Sequence, residues 1–275
     1  MRHRGFDLFG RKTIITGASS GIGRELALAL AAKGATLALA ARRRDLLDGL
    51  ADEISRTGAP RPIVLPVDLA TPGAATELGH RALEALDGVD IAINNAGANL
   101  TGAQSLLADS SAARAVFEVN VWAPLALTAA VLPAMGSADS GVIVNVTSTV
   151  QAVPLPLLGY YSASKAALAQ ATRSLRLELA GTGIRVLEVV PGATDTALRD
   201  IDELPWKSSP PKTFPPVAPA AVAAAMIRAL EHRANRVVYP RYSLLPLEVP
   251  ALGRMVATIG GRRVDTHGAL AGPRR

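Results

Sequence analysis

Thr16-Gly17-Ala18-Ser19-Ser20-Gly21-Ile22-Gly23 joins a short apolar run, Lys12 to Thr16, to an Ala/Leu-rich stretch from Arg24 to Lys33. Read in order, these are a buried strand, a glycine-rich turn and a helix that Gly34 ends in a left-handed cap. Glycine at 17, 21 and 23 lets the backbone turn tightly and approach a ligand. The N–H groups around Ser19, Ser20 and Ile22, with the dipole of the helix they lead into, favour a phosphate there. Such a turn is a weak signal by itself, and its place between strand and helix gives it meaning.

The same alternation continues outward. Thr36 to Ala40 reads as a second strand, and Asp45 as the cap of a helix reaching Arg56 and closed by Gly58. Ile63 to Val67 is a third strand, and Thr71-Pro72 is expected to start the next helix with a capping hydroxyl and a proline at its first position. Strands at Val89–Ile93, Val142–Val146, Ile184–Val190 and Arg236–Tyr239 alternate with helical stretches over 111–121, onward to Met135, 161–179 and 220–232. Right-handed crossovers between parallel strands make this an α/β protein with a doubly wound parallel sheet, a Rossmann fold in three α/β/α layers. Ligands are then expected at the carboxyl ends of the strands.

The chain of 275 residues is long enough for one sizeable core, and a single domain over 1–275 is expected. With 49% hydrophobic but only 4% aromatic residues, that core is built from Ala, Val, Leu and Ile, which suits a parallel sheet covered on both faces. There is no cysteine, so disulfides and thiolate metal sites are excluded, no metal site is expected, and a reducing, cytoplasmic location fits. The basic start is interrupted by Arg11 and Lys12 before any signal-length apolar run, and no stretch is expected to cross a bilayer. The net charge of +6 is scattered without interleaved aromatics, so no nucleic acid is expected as partner.

The second strand ends in Ala41-Arg42-Arg43, where dinucleotide sites for the unphosphorylated cofactor place an acidic residue on the ribose 2′-OH. A carboxylate would repel a 2′-phosphate, whereas guanidinium groups pair with it. Arg42 and Arg43 therefore predict NADP(H) in preference to NAD(H). Asp68 and Leu69 close the third strand, with a carboxylate placed to accept from the adenine amino group. Asn94-Asn95-Ala96-Gly97 closes the fourth, with small residues for backbone approach and amides that can tie neighbouring strands together. Asp and Asn at strand ends are commonly only turn formers, and their shared crevice raises their weight.

Tyr161 and Lys165 stand at i and i+4 and face one side of a helix. A phenol ionises near pH ~10 in water, and an adjacent ammonium stabilises its anion, which brings proton exchange toward neutrality. Ser148, just past the strand Val142–Val146, offers a hydroxyl to a substrate carbonyl or alcohol beside the tyrosine. Asn120, an amide inside a helix where amides are disfavoured, can hold a water that connects Lys165 to solvent, or serve as a local backbone partner.

Taken together, Thr16 to Gly23, Asp68, Asn94 to Gly97, Asn120, Ser148, Tyr161 with Lys165, and Pro191-Gly192-Ala193-Thr194-Asp195-Thr196 resemble the short-chain dehydrogenase/reductase family, over about Arg11 to Tyr239. The resemblance implies hydride exchange between a nicotinamide cofactor and a carbonyl or secondary alcohol. It makes Tyr161 the general acid/base, and Ser148 the group that polarises the substrate oxygen. Lys165 binds the nicotinamide ribose and lowers the tyrosine pKa, and Asn120 supports a proton relay. It also places Pro191, Gly192, Thr194 and Thr196 beside the nicotinamide carboxamide, and implies a homodimer or homotetramer built on the helices beginning near Ser111 and Tyr161.

The substrate is expected to be a hydrophobic small molecule. Residues 193–219 form the substrate loop, with Leu198, Trp206 and Phe214 on one wall and Leu155, Leu157 and Leu158 opposite. Residues 241–275 form an apolar, proline-punctuated extension ending in a disordered Gly/Arg-rich terminus; pocket cover, subunit interface and peripheral membrane contact through Arg254, Arg262 and Arg263 are its open roles. Two other functions share these motifs, a 3-oxoacyl-thioester reductase acting on an acidic carrier and an NADP(H)-binding regulator without turnover.

Overall fold

Strand residues such as Ile14 and Ile15 point to opposite faces of a sheet, and both are fully buried, so the sheet must be covered on each side. The computed structural model, which describes residues 5–195, 204–208 and 216–270, shows that arrangement. The strands are β1 (Lys12–Thr16), β2 (Thr36–Ala41), β3 (Ile63–Pro66), β4 (Ile91–Asn94), β5 (Gly141–Val146), β6 (Ile184–Pro191) and β7 (Arg236–Tyr239). They lie in the order β3-β2-β1-β4-β5-β6-β7, and every pairing is parallel. The order reverses between β1 and β4, and the crevice there receives the turn after β1 and the loop after β4.

The helices are α1 (Gly21–Ala32), α2 (Arg44–Arg56), α3 (Ala74–Leu86), α4 (Gln104–Leu107), α5 (Ser111–Phe117), α6 (Ala123–Ser137), α7 (Gly159–Glu178), α8 (Pro219–Glu231), α9 (Leu244–Glu248), α10 (Pro250–Arg262) and α11 (His267–Leu270). Leu26 and Leu30 of α1, Leu47 and Ile54 of α2, and Met226 of α8 pack on Ile15, Leu39, Ile93 and Val144. The other face takes Leu78 of α3 and Leu127, Val131 and Met135 of α6 on Ile14, Ala92 and Ile143. A five-residue π-helical turn, Glu118–Trp122, links α5 to α6.

Several sequence expectations need correction. Helix α3 begins at Ala74 behind a left-handed Gly73, with no side-chain cap, so Thr71-Pro72 lies before the helix rather than opening it. Helix α2 begins at Arg44, and Asp45 sits in its first turn, where its charge favours the helix dipole without capping it. The proline-punctuated extension is largely helical among its described residues: it holds α9, α10 and α11. Finally, Ser111–Ser137 is one helical stretch long and apolar enough to cross a membrane by length and composition. Its residues Val116, Leu127, Val131 and Met135 are buried within the protein, so part of that apolarity belongs to the core.

Candidate active site

The turn after β1 is shaped by close approaches that only glycine allows. Gly17 has φ +66°, and a Cβ there would stand 2.8 Å from the Ala96 Cα. A Cβ on Gly23 would stand 2.3 Å from the Gly17 carbonyl oxygen, so this glycine lets α1 close onto the turn. Ser20 stands at the N-cap of α1 in extended conformation without a side-chain bond to the helix, which leaves the first N–H groups for another acceptor. This cradle, which a side chain would fill, fits a pyrophosphate.

At the end of β2 the exposed Arg43 donates to the hydroxyls of Ser19 and Ser20, both at 3.0 Å. The strand end and the glycine turn thus meet over one guanidinium, and Arg42 is exposed beside it. No carboxylate occupies the position that would accept from a ribose 2′-OH; Asp45 lies one helical turn further on. Asp68 is exposed at the next strand end and accepts from the Ala70 N–H at 3.0 Å, while Leu69 is buried.

The loop after β4 is held by polar groups from both neighbouring strands. Asn95 Nδ2 donates to the carbonyl of Thr16 at 2.9 Å, and Thr16 Oγ1 accepts from the N–H groups of Asn95 and Ala96 at 3.0 Å each. On the other side Asn94 Nδ2 donates to Asn145 Oδ1 at 2.8 Å, and Asn145 Nδ2 donates to Thr172 Oγ1 at 2.9 Å. This ladder from β4 through β5 to α7 fixes the relative height of the strand ends. Asn145 and Thr172 were not picked out from sequence, although a lone amide inside the buried run Val142–Val146 was the available signal.

Asn120 is fully buried in the π-helical turn. Its Oδ1 accepts from the Ala98 N–H at 2.8 Å, and its Nδ2 donates to the Ala98 carbonyl at 2.8 Å and to Ser164 Oγ at 2.9 Å. Ser164 in turn donates to the Tyr161 carbonyl at 2.8 Å. The side chain therefore clamps the loop after β4 to the first turns of α7. A water joined to this residue is left with the second lone pair of Oδ1 or a carbonyl of the wide turn.

Tyr161 and Lys165 share a face of α7, with the ammonium 5.9 Å from the phenol ring centroid. Lys165 is buried and donates to the Val146 carbonyl at 2.9 Å. Burial lowers its pKa to about 8. Val146 ends β5, and Ser148 follows two residues later, buried, its Oγ accepting from the Val150 N–H at 3.4 Å. One hydrogen bond thus draws α7 onto the strand end that carries the serine. Behind them Glu188, buried on β6, pairs with Arg236 at 3.3 Å and accepts from Gln151 at 3.2 Å; sequence reasoning did not single it out.

Pro191 ends β6, and the Gly192 N–H donates to the Tyr239 carbonyl at 2.8 Å. Thr194 donates to the Gly192 carbonyl at 3.0 Å and bridges to Val217. Thr196, Leu198 and Phe214 lie outside the described residues. Trp206 is described, and it packs with Leu155 against a small apolar cluster that includes Leu157 and Leu158.

Residues 11–203 match the profile of the short chain dehydrogenase family. A short chain dehydrogenase of the fungus Pseudocercospora fijiensis is 40% identical over 71% of this chain and 63% of its own length, so the chain spans somewhat less than two thirds of that relative. Ketoacyl reductase HetN of a Nostoc cyanobacterium is 31% identical over 84% of this chain and 79% of its own length. Among solved structures, a short chain dehydrogenase of Burkholderia cenocepacia in complex with NADP is 30% identical, with a TM-score of 0.74 over 84% of this chain and 97% of its own. Structures of similar fold carry NAD in one case and NADP in others.

Proposed function

The chain belongs to the short chain dehydrogenase family, and from that premise we propose that it exchanges a hydride between NADP(H) and the carbonyl or secondary alcohol of a hydrophobic small molecule. The observation that carries this reading is the buried ammonium of Lys165 beside the Tyr161 ring, on the strand end that leads to Ser148. A cation in that place stabilises a phenolate, so Tyr161 can release and recover a proton near neutral pH.

In the reductive direction Tyr161 gives its phenolic proton to the substrate oxygen, and the Ser148 hydroxyl donates to the same oxygen as negative charge gathers there. Lys165 balances the phenolate that remains. Asn120, through Ser164, holds the first turn of α7 so that the phenol keeps its aim. When bound, the nicotinamide supplies or accepts the hydride. Gly17, Gly21 and Gly23, with the N–H groups at Ser19, Ser20 and Ile22, would hold the pyrophosphate, Arg42 and Arg43 the 2′-phosphate, and Asp68 with Leu69 the adenine end. Asn95, Ala96 and Gly97 would line the ribose path, and Pro191, Gly192, Thr194 and Thr196 the carboxamide.

Reduction is the proposed physiological direction, because cells keep the phosphorylated cofactor mostly reduced. A homodimer or homotetramer is supported by the exposed indole of Trp122, which stands between α5 and α6. The absence of cysteine suits a reducing cytoplasm.

The test is oxidation of NADPH and of NADH with a panel of hydrophobic ketones and aldehydes, with Tyr161→Phe alongside. Turnover with NADPH that the substitution removes is expected. Equal or better use of NADH would reverse the reading of Arg42 and Arg43. NADPH binding without turnover on any carbonyl would favour a regulator. The likeness to a ketoacyl reductase supports a second reading, reduction of a 3-oxoacyl thioester, and activity confined to a carrier-bound substrate would select it.

A further inference from the structure

The chain after β7 meets the segment after β6 through backbone bonds. Trp206 bridges antiparallel to Val264, the Lys207 N–H donates to the Arg263 carbonyl at 2.8 Å, and the Asp265 N–H donates to the Pro205 carbonyl at 2.6 Å. These ties fix residues 204–207 to the extension, outside the sheet. Side chains close the same junction, because Val264, Leu204, Leu157, Leu158 and Ala103 form one buried apolar cluster.

Helix α10, which ends just before Val264, carries glycines at i, i+7 and i+8, which share a helix face. A Cβ on Gly253 would stand 3.1 Å from the Ala152 carbonyl oxygen. One on Gly260 would stand 3.1 Å from the Leu155 side chain, and one on Gly261 3.4 Å from Pro156. The helix is therefore close-packed along residues 152–156, the stretch that leads into α7.

Leu157 carries the strain of this junction. Its φ is +68°, in the left-handed region that a branched side chain occupies only when its surroundings hold it there. Its carbonyl accepts from the Gly102 N–H at 2.8 Å, its side chain is buried in the cluster with Val264, and the carbonyl of Leu158 accepts from the Ser162 N–H at 2.9 Å. The strained residue hands over directly to the first turn of α7, four residues before Tyr161.

Resting on the reductase reading, we propose that the extension is part of the substrate side of the site. Val264 is a positioning residue: through Leu157 and Leu158 it sets the apolar wall beside Tyr161, and with it the size of the carbonyl compound accepted. Filling or emptying the Val264 position then changes selectivity between substrates and leaves cofactor binding alone.

The experiment compares the full-length protein with Val264→Ala and Val264→Asp. It reads kcat/KM for methyl ketones of increasing chain length, NADPH affinity by cofactor fluorescence, hydrogen exchange of the Gly102 amide and, in a Trp122→Phe background where Trp206 is the remaining tryptophan, the emission of Trp206. For Val264→Ala the expected result is a loss of about fivefold or more on the shortest ketone, none on the longest, and NADPH affinity within about twofold of the parent. A uniform change along the series, or none, overturns the assignment and leaves Val264 with a purely structural role. If the parent protein reduces no ketone or aldehyde with NADPH, the reductase reading fails by itself. In that event Val264→Asp still tests the junction: a red-shifted Trp206 and faster Gly102 exchange support it, and unchanged signals sink it.

Discussion

The ammonium of Lys165 donates to the carbonyl oxygen of Val146 at 2.9 Å, tying the helix face of Tyr161 to the strand end that precedes Ser148. The bond satisfies one of three ammonium protons, and burial lowers the pKa from 10.5 to about 8. Below pH 8 the folded state holds this charge at a cost. Between 8 and 10.5 the unfolded chain keeps a proton that the folded one has released, so stability rises with pH, and above 10.5 the cost is gone. Lys165→Met is therefore expected to raise Tm by about 2 °C or more at pH 7, with a smaller gain at pH 10, and to lower kcat by ~10²-fold or more at pH 7. Calorimetry at the two pH values decides it. A lower Tm at pH 7 would mean that the fold depends on the charge.

Arg43 makes its contacts with Ser19 and Ser20, not with an acidic partner. Its charge is therefore left for a phosphate, and a charge-assisted bond to one contributes about 1.5–3 kcal/mol. Arg43→Ala is expected to raise KM for NADPH by ~10- to 100-fold and to change KM for NADH by no more than about twofold. Salt should weaken NADPH binding in the parent more steeply than in the variant. Equal losses with both cofactors would assign Arg43 to holding the glycine turn.

The strands could be read from the sequence because each is a short apolar run between helical stretches, and those of β1, β3, β4 and β6 are followed closely by Gly17, Asp68, Asn95 and Gly192. Tyr161 and Lys165 could be paired by helical spacing alone. What escaped was cooperative. The extension showed only as an apolar, proline-punctuated stretch, yet Pro250 sits at the first turn of α10, where its missing N–H costs nothing, and Gly253, Gly260 and Gly261 are used for close packing. The role of Val264 depends on residues more than fifty positions away. For Asn120 the sequence left open a water and a local backbone partner, because its partners here, Ala98 and Ser164, are set by the fold, not by its neighbours in the helix.

Two glycines in helices should respond to the same change with opposite signs. Gly23 in α1 has the Gly17 carbonyl 2.3 Å from the place of a Cβ, and backbone cannot swing aside. Gly49 in α2 has nothing within 4 Å of that place. Gly49→Ala is expected to stabilise the protein by roughly 0.5–1 kcal/mol through helix propensity. Gly23→Ala should destabilise it by about 2 kcal/mol or more and weaken NADPH binding at least ~10-fold. Urea unfolding and cofactor titration of both variants test the pair, and a Gly23→Ala protein with parental affinity would remove this glycine from the cradle.

Asn120 separates a structural clamp from a proton relay. Asn120→Ala leaves the Ala98 N–H, the Ala98 carbonyl and Ser164 without their partner in a buried place, at a cost of about 1–3 kcal/mol for each group left unsatisfied. A large fall in stability and a loss of kcat are expected together. Asn120→Asp keeps the acceptor for the Ala98 N–H but turns two donors into acceptors, so it should be no more stable than the alanine variant at pH 7. The decisive readout is the pH profile. If Asn120 acts only by holding the first turn of α7, the surviving kcat of Asn120→Ala keeps the parental profile at reduced height. If it also conducts protons, the limb assigned to the Tyr161 and Lys165 pair moves.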